Sequence, residues 1–220
     1  MRLLRRAGLK VVYPQGQTCC GQPAWNSGYR DEARRVARAQ LDLFPEPWPI
    51  VVPSGSCAGM LRHHYPRLFA GTADEALAND IAARSHELTG FLVDVLGLRL
   101  SDLGEPIKVA LHTSCSARRE MGVAHAAENL LGQLAQVQVV EQDRKAECCG
   151  FGGSFAVKQP EISAEMVADK TACLRASGAD LVVSQDCGCL MNIGGAFEHQ
   201  GDGPRSRHIA EFLWERSNAE

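Results

Sequence analysis

The chain has 220 residues, of which 45% are hydrophobic and 22% charged, and its formal net charge is −3. This composition is typical of a globular protein whose core is large enough to fold without disulfide bonds. The sequence has no basic block that would suggest a nucleic-acid partner, and none of its apolar runs is as long as a membrane span. Segment 1–14 carries positive charge but no apolar signal-peptide region, so we expect a cytoplasmic protein.

The predicted elements alternate between helix and strand along the chain. Short runs rich in β-branched residues predict strands at 9–14, 49–53, 107–112, 137–140 and 180–184. Apolar periodicity predicts helices at 31–44, 57–69 with a break near Pro66, 73–96, 120–134, 160–177 and 209–216. Pro160 is typical of a first helical position and Gly178 of a helix stop. The alternation predicts an α/β fold with mostly parallel sheets.

The cysteines are concentrated where the predicted strands end. The nine cysteines are Cys19, Cys20, Cys57, Cys115, Cys148, Cys149, Cys173, Cys187 and Cys189. Loops at the carboxyl ends of parallel strands lie together and commonly bind ligands. Clustered cysteines in a reducing compartment are more often metal ligands or catalytic groups than disulfides. The sequence therefore predicts a functional site in these loops.

Two motifs occur twice in the same order, which indicates an internal repeat. The first half contains VVYPQGQTCCG, a helix and VVPSGSCAGM, and the second contains VVEQDRKAECCG, a helix and VVSQDCGCLM. We interpret residues 1–100 and 101–220 as two Rossmann-like repeats. Cys115 lies 33 residues before the second doublet, and the same offset in the first repeat falls before Met1. The first repeat is therefore expected to lack its N-terminal strand and cysteine loop, and RLLRRAGLK is interpreted as the tail of a helix.

Adjacent cysteines followed by glycine favour a polynuclear metal centre. Iron–sulfur clusters are held by cysteine thiolates, and a cluster presents several irons to neighbouring sulfurs. Structural zinc sites prefer cysteines spaced by two to four residues, and the chain contains no CxxC pair. The glycines of GFGG let the backbone approach closely and offer N–H groups to sulfur. The same segment lacks the lysine of a P-loop and the GxGxxG spacing, which argues against a phosphate site.

Several histidines and arginines are further candidates for function. His112 is interpreted as a satisfied structural histidine, with tuning or ligating a metal as the alternative. His63 and His64 are expected to be exposed, with one of them lining the first cysteine site as the alternative. Four arginines are interpreted as solvated helix faces, with binding of a carboxylate substrate as the alternative. They are Arg30, Arg62, Arg118 and Arg119.

The pattern Cys115…Cys148-Cys149-Gly150…Cys189 resembles the cysteine-rich CCG domain family, whose members include a component of heterodisulfide reductase. Four longer phrases are similar to the lactate-utilization members of that family. They are GQTCCGQPAWNSGYRDEAR, PSGSCAGMLRHHYP, CCGFGGSFAVKQPEIS and GCLMNIGG. The sequence departs from the heterodisulfide reductase pattern in having one cysteine at each terminal CxxC position, and it has Thr113 and Ser116 beside Cys115 where relatives tend to have Asp and His.

The resemblance implies that seven cysteines bind iron–sulfur clusters, expected to be of the [4Fe–4S] type. The second-repeat ligands would be Cys115, Cys148, Cys149 and Cys189, and the first-repeat ligands Cys19, Cys20 and Cys57. Cys187 has no counterpart in the first repeat, and its role stays open. Cys173, inside a predicted helix, is interpreted as a buried and inert cysteine.

The resemblance also implies a function. The chain would be an electron-transfer subunit of a complex that oxidises L-lactate to pyruvate. Its partners would be a ferredoxin-like iron–sulfur subunit and a third small subunit, with no nucleic acid and no membrane insertion. The alternatives are a thiol–disulfide oxidoreductase of the heterodisulfide reductase type and a zinc-stabilised interaction module.

Overall fold

Six short strands form two parallel sheets in the computed structural model, which describes residues 1–217. The strands are β1 (Ile50–Val52), β2 (Ser85–Glu87), β3 (Ile107–His112), β4 (Val137–Val140), β5 (Leu181–Ser184) and β6 (Arg205–His208). The four-stranded sheet has the order β4-β3-β5-β6, and the smaller sheet pairs β1 with β2. Every pair is parallel, so the carboxyl ends of neighbouring strands lie at the same edge. The predicted α/β class is confirmed.

Helices connect these strands, as parallel pairing requires. Within the described range they are α1 (Arg2–Arg6), α2 (Gln22–Asn26), α3 (Arg30–Leu41), α4 (Gly55–Gly59), α5 (Tyr65–Leu68), α6 (Glu75–Arg84), α7 (Leu88–Gly90), α8 (Cys115–Arg119), α9 (Ala124–Gly132), α10 (Phe155–Lys158), α11 (Pro160–Ala176), α12 (Cys187–Gln200) and α13 (Ile209–Ser217). Two π-helical turns, Met60–His64 and Phe91–Val95, join α4 to α5 and extend α7. The predicted break near Pro66 is therefore a wider helical turn placed just before the proline.

Three of the predicted elements need correction. Residues 9–14 form no strand, because the segment pairs with no other strand and exposes Val12 and Tyr13 by 56% and 53%. The helix predicted over 73–96 is divided by β2, whose backbone pairs with β1. The helix predicted over 120–134 begins only at Ala124, after a separate α8. Both β6 and the helix α12 lie outside the elements predicted from the sequence.

The main core lies against the four-stranded sheet and draws residues from both ends of the chain. Val109 and Leu111 of β3 and Val183 of β5 pack in one cluster with Leu3 and Leu92. A second cluster, around Tyr65 and the buried face of α3, belongs to the first hundred residues alone. The proposed repeat boundary at residue 100 therefore separates two sheets that share part of one core.

Glu87, at the end of β2, is a buried carboxylate that none of the sequence patterns singled out. It is 2% exposed, and its Oε2 accepts hydrogen bonds from the Thr89 N–H at 2.7 Å, the Thr89 hydroxyl at 2.6 Å and the Gly90 N–H at 3.1 Å. Burial, together with the nearby Asp186 carboxylate, outweighs these bonds and raises the pKa of Glu87 to about 7.

This raised pKa makes the folded state bind the Glu87 proton more tightly than the unfolded state. The stability that the protonated Glu87 contributes is fully present below pH 4.5, the pKa in the unfolded state. It is lost as the pH rises through about 7, the pKa in the folded state. Glu87→Gln keeps an oxygen acceptor without the charge. The free energy of unfolding of this variant, relative to that of the parent protein, should therefore rise by about 2 kcal/mol between about pH 5 and about pH 8. Urea unfolding of both proteins at the two pH values measures this gain. A difference that does not change with pH would contradict the expectation.

Candidate metal centre

Four thiols lie at the carboxyl edge of the four-stranded sheet. Cys115 begins α8 after β3, the Cys148–Cys149 doublet follows β4, and Cys189 lies in the first turn of α12 after β5. The sulfurs of Cys149 and Cys189 lie within 4.8 Å of each other, and Cys148 lies near enough to Cys115 and Cys149 to act on the pKa values of both. All four are free thiols. The structure therefore brings the predicted second group together, and we call it the second cysteine group.

Local capping positions Cys115. Ser114 precedes α8 in an extended conformation, and its hydroxyl accepts a hydrogen bond from the Ala117 N–H at 3.1 Å. This N-cap fixes the chain direction at the point where β3 ends and Cys115 enters the helix.

The close packing of the thiols raises the pKa values of Cys115 and Cys149. The hydrogen bond with Cys148 and burial raise the pKa of Cys115. For Cys149 the hydrogen bond from Cys148 acts in the opposite direction, but the contact with Cys189 and burial raise its pKa to about 12. Four thiolates cannot crowd together without a counter-charge, so binding of a metal here would release protons.

Both doublets adopt the same turn. The Gly150 N–H donates to Cys148 Sγ at 3.4 Å, and the Gly21 N–H donates to Cys19 Sγ at 3.4 Å. The two glycines have φ values of +82° and +88°, in the left-handed region that favours glycine. The repeated CCG motif is thus a turn that directs a backbone N–H at the sulfur of the first cysteine.

Gly150→Ala is expected to destabilise the protein by more than the strain of an alanine at a positive φ alone. A Cβ at residue 150 would lie 2.8 Å from the Ser163 carbonyl oxygen and 3.0 Å from Met166 Cβ. Gly178, with φ +68° and no atom within 4 Å of a built Cβ, is the matched control. Gly178→Ala should cost about 1 kcal/mol of unfolding free energy and Gly150→Ala about 3 kcal/mol. Equal losses in urea unfolding would show that the clash is relieved without cost.

His112, at the end of β3, faces this group. Its side chain is 1% exposed, and neither ring nitrogen has a hydrogen-bond partner among residues 1–217. One ring nitrogen of His112 and the sulfurs of Cys149 and Cys189 all lie within 4.8 Å of one another. Burial, and then the nearby Lys170 and Arg118 charges, lower the pKa of His112 to about 3. The interpretation of His112 as a satisfied structural histidine is therefore wrong.

The first cysteine group contains Cys19, Cys20 and Cys57. The Cys20 and Cys57 sulfurs are 3.4 Å apart, whereas Cys19 is exposed. Hydrogen bonds from Cys20 and from Ser54 lower the pKa of Cys57 to about 7, while the contact with Cys57 raises that of Cys20. The Tyr65 hydroxyl donates to the Cys20 carbonyl at 3.1 Å and so holds the doublet turn. This group is smaller than the second one but shares its doublet geometry.

Residues next to the first cysteine group contact residues next to the second. Asp186, the residue before α12, accepts hydrogen bonds from the Ser54 hydroxyl at 2.6 Å and from the Ser56 hydroxyl at 2.6 Å. Cys187 is exposed, and partial burial and then the adjacent Asp186 carboxylate raise its pKa. A second contact joins the loops themselves, where the Ser154 hydroxyl donates to the Pro23 carbonyl at 3.3 Å.

The remaining candidates have structural contacts. His63 is exposed as expected, but His64 is 15% exposed and its Nε2 lies 3.3 Å from Glu120 Oε1. Three of the four arginines bond to the backbone or stack on a ring. Arg30 stacks on the Trp25 ring at 3.4 Å, Arg62 donates to the Ser85 carbonyl at 2.8 Å, Arg118 donates to the Ala146 carbonyl, and Arg119 is exposed. Cys173 is half-buried on α11 and lies outside both cysteine groups.

The residues of the second cysteine group fit a metal or iron–sulfur centre. Thiols and an imidazole nitrogen are ligands that such centres use, and an N–H directed at a sulfur is a hydrogen bond that such centres use. Within residues 1–217 the structure has no helix long and apolar enough to cross a membrane.

A parallel α/β fold with two Cys-Cys-Gly turns defines a class, the cysteine-rich CCG domain proteins. The family model described as "Cysteine-rich domain" (CCG) matches residues 1–62 and 109–194, one doublet in each segment. Curated relatives identify a narrower family within this class. "Lactate utilization protein A" of Oceanobacillus iheyensis is 45% identical over 97% of this chain and 87% of its own length. The proteins of the same name from Anoxybacillus flavithermus and Bacillus subtilis are 44% and 42% identical, each over 97% of this chain and 90% of their own length. The chain belongs to the lactate utilization protein A family within the CCG domain proteins, which confirms the resemblance carried by its motifs.

Proposed function

We propose that the chain is an iron–sulfur electron-transfer subunit of a system that oxidises L-lactate to pyruvate. The observation that carries the proposal is the group of four free thiols at one sheet edge. The relatives named for lactate utilization support the choice of substrate. A complex in the cytoplasm, with a ferredoxin-like subunit and a third small subunit, fits this role.

The two cysteine groups would hold the cofactor. Cys115, Cys148, Cys149 and Cys189 would hold one cluster, proposed to be [4Fe–4S], and Cys19, Cys20 and Cys57 would contribute to a second centre. A bound cluster supplies one-electron storage. The chain's own residues stabilise the thiolates, because the doublet glycines donate N–H groups to sulfur. Residues 1–100 and 101–220 would each be one CCG repeat.

Lactate oxidation removes two electrons, so the organic step needs an acceptor for a hydride or its equivalent. The sequence has no flavin or nicotinamide motif. We therefore propose that a partner subunit oxidises lactate and that this chain receives the electrons one at a time.

Thiol–disulfide chemistry is the second candidate, and one contact favours it. The Cys20 and Cys57 sulfurs are 3.4 Å apart, and the pKa of Cys57 is lowered to about 7. A thiol with a pKa near the ambient pH is an effective nucleophile in disulfide exchange. This chemistry would use the first cysteine group, and it leaves the second group for a metal.

The testing experiment measures iron, sulfide and zinc per chain in protein purified without oxygen, together with its EPR spectrum. About four irons per chain with equal sulfide would support one [4Fe–4S] centre. L-lactate added to the complex isolated from its native host should then reduce that centre. Stoichiometric zinc without sulfide would overturn the proposal and favour a zinc-stabilised interaction module. Reduction by a disulfide-linked couple but not by lactate would favour the second candidate.

A further inference from the structure

The buried imidazole of His112 has no use within the protein fold. A neutral imidazole carries one N–H donor and one acceptor nitrogen, and burying either without a partner destabilises the folded state. Both nitrogens of His112 are buried and unpartnered. Buried polar groups without partners are rare, and a missing ion is one of the explanations for them.

The charged side chains that act on His112 do not satisfy it. Lys170 donates to the Arg144 carbonyl at 2.8 Å, and Arg118 donates to the Thr113 hydroxyl at 3.3 Å. Both are cations with donors only, so neither can accept the imidazole N–H. The nearby groups that can share a ligand with His112 are the sulfurs of Cys149 and Cys189, whose ligand atoms lie within 4.8 Å of its ring nitrogen and of each other.

The surroundings hold these three donors in place. Cys149 and Cys189 pack in an apolar cluster with Ala110 of β3 and Ile193 of α12. The Asn192 side chain donates to the Cys149 carbonyl at 2.7 Å, which fixes the backbone of the doublet. His112 is the last residue of β3, paired in register with Ser184 of β5. A buried, fixed group of one nitrogen and two sulfurs is suited to a borderline or soft metal ion.

We propose that the imidazole of His112 is a ligand of the second metal centre, coordinating metal together with the thiolates of Cys149 and Cys189. The identity of that centre as an iron–sulfur cluster rests on the proposed function. A neutral nitrogen at position 112 leaves the centre less negatively charged than a thiolate at the same position would. Histidine ligation in Rieske centres raises the reduction potential for this reason. The centre should therefore have a higher potential than the same site with cysteine at this position.

The experiment uses the anaerobically purified chain, reduced with dithionite and labelled with ¹⁵N-histidine, and pulsed EPR of its paramagnetic centre. We expect a strong hyperfine coupling from ¹⁴N that is replaced by a ¹⁵N coupling on labelling. The coupling should vanish in His112→Leu, which keeps the apolar packing. It should persist in the control His125→Asn, whose histidine is 59% exposed. Bound iron and sulfide without a strong histidine coupling would overturn the assignment, and a weak coupling alone would mean that His112 only donates a hydrogen bond.

A second variant tests the assignment in case His112→Leu does not fold. His112→Cys supplies another metal ligand, so it should retain iron and have a lower midpoint potential than the parent protein. An unchanged potential in a folded, iron-loaded His112→Cys protein would contradict ligation by His112. Absence of iron and sulfide in the parent protein would overturn the proposed function instead. The ligand assignment would then be decided with Co²⁺, where weaker binding by His112→Leu supports it and equal binding rejects it.

Discussion

Cys149→Ser is expected to remove the iron of the second centre, about four irons per chain if that centre is [4Fe–4S]. Cys149 is the member of the second cysteine group that lies near both Cys148 and Cys189, and it is 2% exposed. A serine hydroxyl is a poor substitute for a thiolate, and the burial gives water no route to replace the lost ligand. Iron and sulfide analysis with the visible spectrum measures the loss.

Cys173→Ser is the matched control for this loss. Cys173 is a half-buried cysteine on α11 that belongs to neither cysteine group, so its replacement should leave iron and sulfide unchanged. Full iron content in Cys149→Ser would mean that Cys149 is not a ligand. Equal loss in both variants would indicate that any serine in this part of the core perturbs folding.

The placement of the cysteines could be predicted from the sequence because it depends on local and topological rules. Short apolar runs predicted β3 and β5, and the carboxyl ends of parallel strands meet at one edge. Cys115 and Cys189 were therefore expected side by side. The glycine after each doublet was expected to allow a close approach of backbone to sulfur, and the left-handed φ of Gly150 and its N–H bond to Cys148 show that geometry.

What could not be predicted depends on contacts between distant parts of the chain. Ser85, His86 and Glu87 have no strand pattern, and they form β2 because β1 offers a free edge. The helix α12 contains CGCLMNIGG, whose glycines have low helix propensity. A Cβ at Gly194 would lie 2.7 Å from the Ser206 hydroxyl, so packing against β6 rather than a turn explains that glycine.

Local sequence patterns also could not predict whether the ring nitrogens of His112 have hydrogen-bond partners. A histidine at the end of a buried strand is usually satisfied by a neighbouring carbonyl or carboxylate. Whether partners exist for its nitrogens depends on which loops pack near it, and here the sulfurs of Cys149 and Cys189 lie within 4.8 Å of a ring nitrogen.

Asp186→Ala is expected to destabilise the protein by about 3 kcal/mol, because it removes the acceptor that joins the start of α12 to the segment after β1. Asp186 is 3% exposed, and its Oδ1 accepts from the Ser54 hydroxyl at 2.6 Å, the Ser56 hydroxyl at 2.6 Å and the Ser56 N–H at 3.1 Å. Truncation would remove this acceptor, and only one of the two hydroxyls could then donate to the other, 3.0 Å away. Urea unfolding of the variant and the parent protein gives the loss.

Asp186→Asn separates the hydrogen bonds from the charge. The asparagine retains one oxygen acceptor, and its amide replaces Oδ2, which is buried without a partner, so this variant should lose less stability than Asp186→Ala. A double-mutant cycle with Ser56→Ala tests the contact itself. If the carboxylate acts through Ser56, then Ser56→Ala should cost about 1 kcal/mol or more in the parent protein and much less in the Asp186→Ala background. Additive losses of unfolding free energy would show that Asp186 acts through other groups. Its hydrogen bonds to residues 54–57 would then stabilise the protein less than their short distances indicate.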